Sequence, residues 1–237
     1  MANELFQYSI ITALMDGVAS NGLPIATLLS HGNHGLGTFR YMRGEMIILD
    51  GKLYQMKSDG TVTPIDPSSD DVSPFAMVTQ FEATVATTAA LSSKEEVSAL
   101  LKRILPESQN HFMAVRLDGN FKSVTVRTAA GQTEPRQSLR EVGKNQTSHT
   151  FESATGTIVG FLSPQYMEGI GVPGIHLHFI TEDRKQGGHI LALETGGEVQ
   201  VQAAALPKMH LELPVADDEF NTAPLIGDAA GVAAVEG

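Results

Sequence analysis

The chain has 237 residues, 42% of them hydrophobic and 18% charged, which marks a globular chain able to bury a substantial core rather than a disordered one. Its formal net charge of −11 argues against a nucleic-acid partner, because phosphate binding needs a basic face. It has no cysteine, so disulfides and thiolate ligands are excluded and any transition metal must be held by histidine and carboxylate.

Residues 1–17 carry Glu4 and Asp16 and lack both a basic n-region and a long apolar run. No signal peptide and no membrane span are expected, and a cytoplasmic location follows by default. Residues 7–14 read as a strand running to a turn at Asp16-Gly17. Residues 24–30 have the start and spacing of a short helix, with Pro24 suited to its first turn. Residues 31–38 read as a glycine-rich loop (Gly32, Gly35, Gly37). Its spacing fits neither the Walker pattern nor the dinucleotide fingerprint, so a backbone role is expected. Residues 39–57 look like a β-meander broken at Arg43-Gly44 and at Asp50-Gly51, the second a strong hairpin signal. Residues 58–73 form a loop around Pro64 and Pro67, and residues 75–85 are strand-like.

Residues 91–105 are the clearest helix. Ser92 or Ser93 caps it, Glu95 or Glu96 completes a capping box, and Val97, Leu100, Leu101 and Ile104 form one apolar face. Residues 112–117 and 121–128 read as a hairpin over Asp118-Gly119, and residues 133–146 as a loop or short helix. Five short strands follow, over 157–162, 174–181, 188–193, 198–204 and 209–213. That second half reads as a small antiparallel sheet or barrel, and a boundary near residue 150 is expected although no linker marks it. The last residues, after Asp217, form an Ala/Gly-rich acidic tail.

Three histidines stand out in the second half: Gly174-Ile-His-Leu-His-Phe179 and Gly187-Gly-His189. Strand residues i and i+2 share a face, so His176 and His178 point the same way. A polar connection over 181–187 reads as a hairpin. With a loop of even length, His189 falls on that same face. Three neutral imidazoles from adjacent strands make a facial site for a divalent metal. The plain alternative is a pair of solvated strand histidines. By spacing alone, Glu182 also completes a His-x-His-x3-Glu set with His176 and His178. That set is the pattern of a cupin-like metal oxygenase or isomerase, although the glycine spacing downstream does not fit.

Several segments together resemble one family, the α-acetolactate decarboxylases. They are Tyr8-Ser-Ile-Ile-Thr-Ala-Leu14, His31-Gly-Asn-His-Gly-Leu-Gly-Thr-Phe39, Gly44-Glu-Met-Ile-Ile-Leu-Asp-Gly-Lys-Leu-Tyr-Gln55, Arg116-Leu-Asp-Gly-Asn-Phe121 with Val126-Arg-Thr128, and Gly156-Thr-Ile-Val-Gly-Phe161 leading into the histidine segments. The resemblance spans nearly the whole chain in order. It implies an α+β fold with two β-rich domains, a mixed sheet in residues 1–150 and a small antiparallel sheet or barrel in residues 151–237, with zinc between them, usually a dimer, and conversion of 2-acetolactate to acetoin and CO2 through a zinc-stabilised enediolate. By motif, the zinc ligands would be His176, His178 and His189. The catalytic polar residues would be Glu45, Arg127 and a glutamate of the C-terminal tail that folds back to the site, for which Glu236 is the candidate. The division of roles between Arg127 and Glu45 stays open. Read without the resemblance, Glu45 is more often a solvated turn residue and Arg127 more often a surface ion-pair partner. The chain departs from the family pattern at Asn33-His34, where Asp-Phe is commoner, and at Pro135-Arg136, where Pro-Tyr is usual. His31, His34, His111, His149 and His210 are expected to serve hydrogen bonding or solvation, with His34 able to line a pocket.

Overall fold

The computed structural model describes residues 2–227 and 230–232. In chain order its elements are β1 (Glu4–Tyr8), α1 (Ile11–Met15), β2 (Leu23–Pro24), α2 (Ile25–Leu29), β3 (His34–Thr38), β4 (Glu45–Leu49), β5 (Lys52–Met56), β6 (Val62–Pro64), β7 (Val72–Ser73), β8 (Ala76–Thr79), β9 (Val85–Ala89), α3 (Lys94–Ile104), β10 (Phe112–Thr128), α4 (Leu139–Gly143), β11 (Thr147–Ser163), β12 (Gly174–Thr181), β13 (Gly187–Thr195), β14 (Val199–Leu206), β15 (Lys208–Glu212) and α5 (Asp218–Thr222). The molecule is mostly β, with a few short helices. None of the described helices is long and apolar enough to cross a membrane.

Two sheets carry the architecture. A seven-stranded sheet runs β15-β1-β8-β3-β4-β5-β6, and a six-stranded sheet runs β11-β12-β13-β10-β14-β9. Because β11 also pairs with β10, strands β10 to β13 close on themselves. The sheets exchange strands across residue 150: β9 and β10 join the later strands, and β15 returns to lie parallel to β1.

Three local expectations are corrected. The stretch 7–14 is a strand only to Tyr8; Ile11–Met15 is helical and wholly buried. The glycine-rich stretch 31–38 is largely a strand, β3, paired on both edges by β4 and β8. Glycine is a poor strand former in isolation, but here its bareness is what the sheet needs: a Cβ on Gly37 would sit 2.4 Å from the Phe75 carbonyl oxygen. Third, Asp118-Gly119 is no turn. β10 runs straight through it, because β11 supplies a continuous antiparallel partner from Met113↔Leu162 to Thr128↔Thr147. Asp118 is also held along and across the ladder, accepting from Arg116 Nε at 2.6 Å and from Thr157 Oγ1 at 2.8 Å. A local turn preference loses to a ladder of that length.

Strand alternation then sorts the side chains. Leu177, Phe179 and Ile190 join Phe121, Val126 and Ile158 in one core, into which α3 inserts Val97, Leu100 and Leu101. Ser93 caps α3 by accepting from Glu96 N. The alternate residues of β12 and β13 face the other sheet, where Ile47, Leu49 and Met56 of β4 and β5 pack on Val159 and Ile180. A further core gathers Leu5, Ile11, Met42, Ala129 and Phe161, and Val232 is buried with them. The candidate residue Glu236 lies outside the described residues.

Candidate metal centre and active site

The site sits where β4 packs onto β12 and β13. His178 lies directly opposite His189 in the β12–β13 pair, and His176 lies two residues before it on the same face. The hairpin therefore has the parity that the sequence predicts. All three imidazoles are at least 95% buried, exposed by 5%, 1% and 1% for His176, His178 and His189. Each offers one nitrogen, and these atoms lie within 4.8 Å of one another. His189 Nδ1 and His176 Nε2 are 3.1 Å apart.

Two neighbours lie against His178. His178 Nδ1 lies 2.7 Å from the Met46 carbonyl oxygen, to which only a protonated nitrogen can donate. That bond fixes the tautomer, so Nε2 carries the lone pair, as in the outer contacts that orient metal-ligating histidines. The strand supplying this carbonyl also supplies Glu45, whose Oε2 is 3.7 Å from His178 Nε2. The approach of β13 to β10 depends on Gly188. A Cβ there would sit 2.7 Å from the Arg127 carbonyl oxygen and 2.9 Å from Val126 Cβ.

Arg127 stands next to last in β10 and pairs with His189. It is 3% exposed, and its Nη1 donates to Gln146 Oε1 at 3.1 Å. Glu45, at 9% exposure, enters β4 from a tight segment whose Gly44 N–H donates to the Ala129 carbonyl, two residues beyond Arg127. That bond ties the acid-bearing strand to the arginine-bearing one. The expected His176, His178, His189, Glu45 and Arg127 are therefore brought together.

Burial, then the charges of Arg127 and Lys94, pushes the His176 imidazole down to about 3. Burial first, then the charges of Arg127, His176, His178 and Lys94, push His189 well below its usual value. Neutral imidazoles are the form that binds metal. Buried nitrogens converging at these distances, with no thiolate and one oriented tautomer, fit a divalent ion such as zinc, for which three histidines leave an open position.

Glu182 does not belong to this group. It is exposed in the turn after β12, outside the cluster, so the His-x-His-x3-Glu reading fails. Two residues escaped the sequence reading. Gln146 contacts Arg127, and Lys94 is buried at the start of α3 with its charge felt by His176 and His189. A lysine just after a cap serine carries no local signal, and only burial reveals it. His34 is buried against Phe81 and Phe161, 3.4 Å from the Gly160 carbonyl oxygen, and is pushed down to about 4 chiefly by burial.

A β-rich scaffold that gathers three buried imidazoles, with a buried glutamate and a buried arginine on the strands beside them, defines a protein with a histidine-lined candidate metal site. The chain belongs to the alpha-acetolactate decarboxylase family, whose profile matches residues 5–226. It is 42% identical over 222 residues to alpha-acetolactate decarboxylase of Methanosarcina mazei, covering 93% of this chain and 75% of that one. The Bacillus licheniformis enzyme is 39% identical over 99% of this chain and 92% of its own. The crystal structure of alpha-acetolactate decarboxylase from Bacillus subtilis strain 168 superposes with a TM-score of 0.90 at 35% identity, covering 99% of each chain. The protein is thus an enzyme, a decarboxylase of acetolactate type.

Proposed function

We propose that the enzyme converts (S)-2-acetolactate to (R)-acetoin and CO2, with zinc held by His176, His178 and His189. The observation that carries this reading is the convergence of three buried nitrogens, one with its tautomer set by Met46, beside Glu45 and Arg127. When bound, the ion supplies a Lewis acid for the ketone and hydroxyl oxygens of the substrate. The rest falls to the chain. The guanidinium of Arg127 is always charged and matches a carboxylate in bidentate fashion. It holds the substrate carboxylate while the C–C bond breaks. The bonding pair then passes to the neighbouring ketone, leaving CO2 and an enediolate. Glu45 orients the substrate hydroxyl and delivers the one proton the enediolate needs to become acetoin. Delivery to one face makes the product chiral.

Glu236 is proposed as the second carboxylate of the site. Support comes from Val232, buried in a core with Met42 and Ala129, near the chain segments that lead into Glu45 and out of Arg127. The enzyme is further proposed to be a cytoplasmic homodimer. Metal analysis of His178→Ala tests the ligand set: zinc and activity should both vanish. Full zinc content with full activity in that variant would refute it.

A further inference from the structure

Gln146 is exposed, yet its side chain meets a buried one: Arg127 Nη1 donates to its Oε1 at 3.1 Å. The strand register explains how. Arg127 pairs with His189 on one side of β10 and with Ser148 on the other. Residues directly opposite in a ladder point to one face. The Arg127 side chain therefore lies on the face of the histidines, while its neighbour Val126 joins the core behind them. Gln146 comes two residues before Ser148, at a position diagonal to Arg127, a gap that a long side chain can span. Its backbone is fixed from both ends. Helix α4 carries the Ser138–Glu141 capping box and is anchored by buried Leu139 and Val142, and the Gln146 N–H donates back to the Gly143 carbonyl. Directly after Gln146, β11 begins with Thr147 paired to Thr128.

The kind of acceptor matters. A carboxylate at this place would form an ion pair with the guanidinium and compete with any other carboxylate. An amide oxygen orients the same N–H without adding a charge. We infer that Gln146 is a positioning residue: it holds the Arg127 guanidinium on the histidine face and, being neutral, does not itself compete with the carboxylate of a 2-hydroxy acid. This inference rests on the role proposed for Arg127, and its test separates the two.

The test is calorimetric binding to the zinc-loaded protein, without turnover, using 2-hydroxyisobutyrate as the anion and acetoin as the neutral ligand. Because Gln146 is exposed, its substitution should leave folding intact. In Gln146→Ala the anion should bind about fivefold more weakly, the scale of one lost hydrogen bond. Acetoin affinity and zinc content should not change. Gln146→Glu keeps an acceptor of the same reach and adds a charge, so the anion should bind more weakly still, again with acetoin unaffected. A purely structural contact predicts the opposite, because glutamate as the stronger acceptor would preserve parent binding. Parent-like anion affinity in either variant, equal weakening of both ligands, or loss of zinc would overturn the inference. Arg127→Gln separates the two readings. Anion affinity that falls there but not in Gln146→Ala refutes the role of Gln146 alone. Anion affinity unchanged in Arg127→Gln refutes the role proposed for Arg127, and that of Gln146 with it.

Discussion

Arg127 shows how much a single residue's role depends on what folds around it. In the sequence it is one cation at a strand end; in the structure it is buried, paired in register with His189 and bonded to Gln146. Replacing it with Gln should leave zinc bound and lower kcat by about 100-fold or more, the scale of losing a fixed charge from a desolvated site. Loss of zinc in that variant, measured by metal analysis, would make its role structural. His34 gives a prediction in pH. Its folded value of about 4 lies below the ordinary 6.5, chiefly through burial. Below pH 6.5 the unfolded chain binds a proton that the folded chain refuses. The stabilisation is therefore full above pH 6.5 and lost as pH falls toward 4, by about 3 kcal/mol in total. Chemical denaturation across that range should show His34→Gln with a shallower dependence than the parent; equal slopes would contradict it. The convergence of His176, His178 and His189 was legible from strand alternation. Lys94 was not, because burial of a helix's first residue depends on what packs over it.

At the scale of elements, the sequence shows α3 by its amphipathic face, the β4–β5 hairpin by its Asp50-Gly51 turn and the β12–β13 hairpin by its alternation. Two of the three corrected segments share one physical origin. Glycine and Asp-Gly signals report local backbone freedom, and in β3 and β10 long-range pairing overrode them. Gly188 is where that pairing touches function. Gly188→Ala should force β13 away from β10, lower the melting temperature and reduce zinc occupancy through a displaced His189. Gly227, with nothing within 4 Å of an added Cβ, is the control, and Gly227→Ala should change neither. Parent-like melting and zinc content in Gly188→Ala would show that the close approach to Arg127 does not matter.

In the whole molecule, the site is a product of two sheets rather than of one motif. The six-stranded sheet presents the histidines and Arg127, and the seven-stranded sheet supplies Met46 and Glu45. No window of sequence contains that packing, so the resemblance over many segments carried it where periodicity could not. An ion bound between the sheets should also stabilise the fold. At 100 times its Kd, a ligand bound only by the folded state contributes about 2.7 kcal/mol. For a chain of this size, chelation should lower Tm by roughly 5–10 °C, reversibly on adding zinc. Metal-dependent decarboxylation is measured by incubating the zinc-loaded enzyme with 2-acetolactate and following CO2 and acetoin together. Both should be released in equimolar amounts, with release abolished by a chelator and restored by zinc. Acetoin formation that persists undiminished in the fully metal-depleted protein would contradict it.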